Sequence, residues 1–441
     1  MDFSYKNIWT ITYPVLISLV MEHLLGMTDA IFMGRVGEVE FGASGLGTIY
    51  HMVLYMFGLG FGVGVQILMA RRNGQQQYKH IGLIFHQGMM IMMVLAAVLL
   101  LFSYFFSPVL LRSFITSEAV CDATLSYVRW RSYGFFFSFG VIMYRAYFMA
   151  LTKTRILTLN GIVMVLSSVA LNYVLIFGRF GFPAMGIAGA ALGSSIAGLI
   201  SLALMVVYTR YYTDYQYYGM FRWTRPSWSV LRQIFNVSSW TMLQYFLSCG
   251  TWLFFFLAIE HMGERALAAS NLARQVSSLL FIFTIAFATT GSSMVSNLMG
   301  AQKQDEVMPL CLRIVKMSVL CVLPLFLFAA IFPSLFLRIY SNNAELIAAS
   351  LPSMYVMLIA IPFGVVGFIY FLAISGTGNT RDAMWIETGI LIVYIIMTYY
   401  LAFRIATDVA HVWLVEVLYG VSMLAVSLLY MKKARWHEKQ I

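Results

Sequence analysis

The chain has 441 residues, 61% of them hydrophobic and only 10% charged, with a mean hydropathy of +0.82. Soluble domains average about 25% charged residues, so this composition excludes a soluble enzyme and any sizeable domain outside a membrane. The net charge of +10 invites a nucleic-acid reading, which the placement of the basic residues removes.

Apolar runs long enough to cross a bilayer recur from end to end. They predict an all-α integral membrane protein of 12 spans in two six-helix repeats. The first six spans lie near 8–33, 42–70, 81–106, 123–150, 157–178 and 184–209. Residues 210–230 are polar, tyrosine-rich and basic, and read as a cytoplasmic linker with interfacial aromatics. The second six lie near 231–259, 267–298, 311–337, 346–374, 383–403 and 410–431. The domains expected are therefore 1–209, a six-helix N-lobe, then the 210–230 linker, then 231–441, a six-helix C-lobe with a short basic tail. The first apolar stretch is too long for a cleavable signal and carries Glu22 and Asp29, so it is expected to be retained. Pro14, Pro324 and Pro362 fall inside spans. Gly58, Gly60, Gly62 and Gly64 alternate in span 2. Glycine at every second position does not form one helical face, so this run serves bending, close approach of another helix, or plain packing.

With the N-terminus inside, 18 Lys and Arg residues fall on the cytoplasmic side. Among them are Lys6, Arg71, Arg72, Lys79, Lys153, Arg155, Arg222, Arg225, Arg381, Lys432, Lys433, Arg435 and Lys439. Six fall outside and four (Arg129, Arg131, Arg145, Arg274) within span limits. This asymmetry predicts both termini in the cytoplasm and accounts for the basic charge.

The two halves share an internal repeat. GEVEFGASGL from Gly37 and GERALAASNL from Gly263 are 226 residues apart, and from 37 to 76 that offset gives 10 identities in 40 positions. Chance at this composition gives roughly three, so the chain is read as a duplication. The same offset pairs Thr154 with Thr380 and Arg155 with Arg381. Six spans per repeat is an even number, so the halves are related by an axis along the membrane normal, an arrangement common in transporters.

Ionisable groups inside spans are costly and usually functional. Glu22 and Asp29 share span 1 and one face of it, about 10 Å apart along the axis. Two carboxyls so placed suit reversible protonation or cation binding. Glu387 and Glu416, alone in spans 11 and 12, are expected near helix ends. The four arginines are expected in ion pairs or against lipid headgroups. No histidine, Walker or GxSxG pattern stands where an enzyme needs it, and the cysteines (Cys121, Cys249, Cys311, Cys321) show no ligand spacing. No enzyme activity, metal or cofactor is expected.

Pro14, TDAIFMGRVG ending at Gly37, FGASGLG, GVQILMARRNG, LNYVLIFGRFGFPAMGIAGAALGSS, LAASNLARQVSSLLF, SSMVSNLMGA and SGTGNTR follow one another along the chain. In this order and spacing they resemble the multidrug and toxic compound extrusion (MATE) family of the wider flippase superfamily, over essentially the whole chain. The resemblance implies two six-helix lobes around a V-shaped cavity, alternating access, and export of cationic organic compounds by proton or sodium antiport. It implies that Asp29 is the N-lobe ion-coupling aspartate. Glu22 stands where some members have glutamine. Ser168 and Asn172 occupy the span 5 positions of an N-x-x-x-D pattern, and Ser194 matches a threonine of span 6. The span 5 carboxylate is thus absent, and Glu22 is expected to supply a second one. In the branch with carboxylates on spans 7 and 10, the positions here are near Gln244, Ser248 and Gly364, none of which takes up a proton. Ion coupling is therefore expected in the first half alone, with H+ as coupling ion and Na+ as the alternative. Candidates for the substrate cavity are Tyr133, Gln66, Gln244, Asn271, Gln275 and Tyr370. A monomer in the bacterial cytoplasmic membrane is expected, with small organic molecules as its partners. A flippase for a lipid-linked precursor is the alternative function.

Overall fold

The computed structural model describes residues 3–115, 117–221, 225–405 and 408–438. Arg222 and Lys439 lie outside these residues. Every regular element among the described residues is helical, as a bilayer demands of a chain that must satisfy its own backbone hydrogen bonds. The first half contains α1 (Tyr5–Val36), α2 (Glu38–Gly74), α3 (Tyr78–Phe105), α4 (Ser107–Phe114), α5 (Glu118–Ser132), α6 (Gly134–Ala150), α7 (Arg155–Phe177) and α8 (Gly186–Tyr212). The second contains α9 (Trp228–Glu260), α10 (Glu264–Gly300), α11 (Val307–Ile331), α12 (Pro333–Leu337), α13 (Ala344–Gly376), α14 (Thr380–Tyr399), α15 (Val409–Val412) and α16 (Leu414–Lys433). Among the described residues, 11 helical segments are long and apolar enough to span a membrane. The shorter helices α5 and α6 together supply the twelfth span.

That fourth span is not the single helix expected over 123–150. It breaks at Tyr133, whose N–H bonds the Arg131 carbonyl instead of continuing the α-helical ladder. The next residue, Gly134, sits so close to α8 that a Cβ there would lie 2.8 Å from Ser195 Oγ.

The repeat is written into the backbone. α2 and α10 are both 37 residues long, and each begins one residue after the matched Gly37 or Gly263. Both end in the same reversal. Gln76 and Gln302 take positive φ angles of 60° and 58°. The N–H groups of Gln77 and Lys303 reach back to Arg72 O and Leu298 O, closing the exposed carbonyls of the last turn. The turn after the fourth span repeats likewise, with Thr152 at φ 56° and Gly378 at φ 93°. These two positions are 226 residues apart, so the offset holds up to the start of span 5 and its counterpart.

The glycine run of span 2 has a specific use. A Cβ on Gly58 or Gly62 would lie 2.3 Å from Phe139 or Ile142 of α6. A Cβ on Gly60 or Gly64 would lie 2.7 Å from Thr241 O or 2.4 Å from Ser238 Cα of α9. Successive α-helical residues are about 100° apart, so alternate glycines look in nearly opposite directions. The run is two interleaved GxxxG seams, one for each neighbouring helix.

The chain forms two compact units, Tyr13–Met242 and Met1–Thr12 with Leu243–Ile441. Helices α1 and α9 therefore each contribute to both. In the second unit, Phe255, Phe287, Phe371 and Trp436 are fully buried, and Phe3, Ile8 and Ile11 from the start of the chain join their core. Arg313 fixes that start by donating to Phe3 O at 3.0 Å. In the first unit, the linker tyrosines fold against α3 and α6. Gly82 N–H donates to Tyr218 O at 3.0 Å, Tyr217 packs on Tyr78, and the Lys153 ammonium lies 5.2 Å over the Tyr218 ring.

Candidate ion-coupling site

Helix α1 carries Asp29 two turns after Glu22, and the two carboxyls meet different partners. Asp29 Oδ1 accepts from Asn172 Nδ2 of α7 at 2.7 Å. Asn172 is fully buried, and so is Ser168 one turn before it, 3.5 Å from the same amide nitrogen. Ser194 of α8 supplies a further hydroxyl to Asp29. Two helices, α7 and α8, thus bring uncharged groups to the α1 carboxylate. The nearest positive influence is the Arg131 guanidinium of α5, acting through space. Gly193 is required by this packing, because a Cβ there would fall 2.4 Å from Asn172 Oδ1. Asn172 Oδ1 is buried with no hydrogen-bond partner among the described residues, so the amide commits its donor to Asp29 and leaves its acceptor unused.

Glu22 forms an ion pair with Arg145 of α6 at 2.8 Å, and its side chain is 46% exposed. Its position is therefore distinct from the Asp29 cluster. Glu22 and Arg145 line a cavity of about 260 Å³ within the first unit, together with Arg131, His51, Tyr55 and Thr48. His51 stacks on Phe135 with ring centroids 4.6 Å apart. Arg131 borders this cavity and also acts through space on Asp29.

The candidate substrate residues scatter. Tyr133 is exposed at the α5–α6 break, where it lines a separate cavity of about 650 Å³ with Arg129 and Tyr104. Gln66 and Gln244 are buried, Asn271 and Gln275 half-buried on α10, and Tyr370 packs in the second unit's core. Gln244 lies against Glu387.

Glu387 differs from the expectation. It is not near a helix end but eight residues into α14, buried, and held by Ser248 Oγ at 2.5 Å and Tyr419 Oη at 3.3 Å. Those partners, contributed by α9 and α16, make an interior position possible. Glu416 does lie in the first turn of α16 and accepts from Tyr394 Oη at 2.6 Å. Two of the arginines lie over aromatic faces and form no ion pair among the described residues. Arg129 lies 5.9 Å over Tyr104, and Arg274 lies over Trp252 and Phe256 at 5.6 and 5.4 Å. Such contacts leave a guanidinium compensated without an acid. Sequence reasoning missed Arg131 as a neighbour of Asp29. It missed Gly193 too, though glycine directly before Ser194 in an apolar helix was the available signal.

The MatE family model matches residues 14–174 and 241–400, one block in each half. The "Probable multidrug resistance protein NorM" of Synechocystis sp. is 26% identical over 328 residues, covering 73% of this chain and 70% of that protein. The fold matches a MOP superfamily transporter from Pyrococcus furiosus with a TM-score of 0.90 at 17% identity, over 99% of this chain and 97% of that one. It also matches an outward-facing multidrug resistance MATE family transporter with a TM-score of 0.89 at 16% identity, over 99% and 97%. With both halves matched separately and together covering most of its length, the chain belongs to the MatE family of membrane transporters.

Proposed function

We propose that this protein is a secondary antiporter that exports amphipathic, cationic organic compounds across the bacterial cytoplasmic membrane in exchange for protons. Both termini then lie in the cytoplasm. The Synechocystis relative is named a probable multidrug resistance protein, which supports export of small organic compounds. The observation that carries the coupling is Asp29 on a membrane-spanning helix, bonded by the neutral Asn172 amide and not by a partner cation. A carboxylate clamped in an ion pair resists protonation, whereas one held by neutral donors is free to exchange its proton.

The proposed cycle follows from those contacts. When Asp29 is ionised, the Asn172 bond is charge-assisted, and the Arg131 field is matched. When Asp29 takes up a proton, that bond falls to the strength of a neutral one and Arg131 loses its counter-charge. The difference is on the order of 1 kcal/mol for the bond alone, and it is felt between α1 and α7. Protonation therefore biases the packing of α1 and, through it, the balance between inward- and outward-open states. Cargo binding to one of those states completes the exchange.

In cells, this reading predicts lower accumulation of a cationic dye when the protein is present. An uncoupler should abolish the difference, and Asp29→Asn should abolish it without an uncoupler. Full export by Asp29→Asn at normal membrane abundance would remove Asp29 from the coupling. Export that persists with an uncoupler but fails without sodium would replace the proton by Na+.

A further inference from the structure

The second half carries a polar cluster that the proposed cycle does not use. Glu387 is 3% exposed, and its Oε2 has no hydrogen-bond partner among the described residues. Gln244 is 5% exposed, and its side-chain Oε1 is equally without one among those residues. Among the described residues no basic side chain forms an ion pair with Glu387. Helix α9 from Gln244 to Ile259 and helix α13 from Leu346 to Gly376 contain no charged residue. Their titratable side chains are Tyr245, Cys249, Tyr355 and Tyr370. On α14 itself, Arg381 and Asp382 lie at the helix start, more than a turn away, and Asp382 accepts from Tyr430. The groups that face Glu387 from α16 are Tyr419 and, beyond it, Glu416, which Tyr394 binds. A buried carboxylate with no counter-charge is not tolerated without a bound proton or cation.

Counting hydrogens decides between them. Ser248 Oγ has one proton and two close neighbours, the backbone carbonyl oxygen of Gln244 at 3.0 Å and Glu387 Oε1 at 2.5 Å. If Glu387 were ionised both neighbours would only accept, and one contact would set lone pair against lone pair. A proton on Glu387 Oε1 resolves this. The carboxyl donates to Ser248, Ser248 donates to the Gln244 carbonyl, and Tyr419 donates to the remaining lone pair of Oε1.

The repeat gives independent support. The 226-residue offset maps Ser168 of the Asp29 cluster onto Tyr394, and Glu22 onto Ser248. It maps Gly161, whose Cβ position faces Ser18 and Met21 of α1, onto Glu387. The contact between the first and fifth helices of a repeat thus carries an acidic group in both halves, donated by the first helix in one and by the fifth in the other. We propose that Glu387, with Ser248, Gln244 and Tyr419, forms a second proton-binding site in the C-terminal half. This replaces the expectation that ion chemistry is confined to the first half. It extends the proton-coupling reading but stands on its own contacts.

The test uses the full-length protein in lipid and infrared difference spectra between alkaline and acid buffer. The spectra follow the carbonyl stretch of a protonated carboxyl in an Asp29→Asn background, so that the outcome is independent of what Asp29 does. The expected result is a titrating band in Asp29→Asn that loses at least half its area in Asp29→Asn/Glu387→Gln. It persists in Asp29→Asn/Glu387→Asp, which keeps a carboxyl. Melting curves identify the folded variants on which the comparison is made. An unchanged band in the Glu387→Gln double variant overturns the proposal. So does a band that sodium removes at constant pH, which would make Glu387 a cation ligand. Failure of transport in Asp29→Asn alone bears on the first site only.

Discussion

Asn172 and Gly193 are as necessary to the Asp29 site as the carboxylate itself. The Asn172 amide reaches Asp29 only because Gly193 leaves its Oδ1 room, with a Cβ contact of 2.4 Å otherwise. Gly193→Ala is therefore expected to displace the amide and lower dye export by about 10- to 100-fold, the usual cost of misplacing a group by about an ångström. Unchanged export at equal membrane abundance would contradict the packing. The Glu22–Arg145 pair belongs to another class. With side chains 46% and 18% exposed, its interaction energy in a double-mutant cycle of unfolding should be below about 1 kcal/mol. Glu22→Gln should then cost little stability, and any larger effect on export would mark a role in transport. At this scale the sequence disclosed the acidic residues and their polar neighbours by type. It did not disclose which neighbours meet. Glu22 and Asp29 share a helix face, yet one pairs with α6 and the other with α7, a choice made by tertiary packing. Glu387 was underweighted because a single glutamate in an apolar run gives no hint that Ser248, 139 residues earlier, will lie against it.

The helices themselves were legible, because runs of 20 or more apolar residues leave the chain few alternatives in a bilayer. Their exceptions were less so. The break at Tyr133 has no proline to announce it, and Gly134 beside it is one of many glycines. The α2 and α10 ends show how the repeat constrains local geometry, since Gln76 and Gln302 adopt the same left-handed turn. A β-branched side chain suits that turn worse than glutamine. Gln302→Val should cost about 1–2 kcal/mol in detergent unfolding, while Gln302→Gly should be neutral or slightly stabilising. The two glycine seams of α2 make a sharper forecast. Gly64→Val drives a side chain into the Ser238 backbone, 2.4 Å from the Cβ position. It should destabilise by about 1–3 kcal/mol or more, the range for overpacking. Tolerance of valine there would mean that α9 does not approach as closely as described.

At the scale of the whole molecule, the duplication supplies the scaffold and divergence supplies the chemistry. The lengths of α2 and α10, the two tight turns and the family match recur in both halves. The buried carboxylates do not: Asp29 corresponds to Phe255 and Glu387 to Gly161. A repeat aligned by identity alone thus hides the second acidic cluster, because its carboxylate moved to the other helix of the contact. The most direct test of the central claim is dye transport by the purified protein in proteoliposomes under an imposed pH gradient, with wild type and Asp29→Asn compared. Wild type should accumulate a cationic dye against its gradient only when protons can flow the other way, and Asp29→Asn should not. Uptake that ignores the pH gradient, or equal uptake by Asp29→Asn, would contradict proton antiport through Asp29.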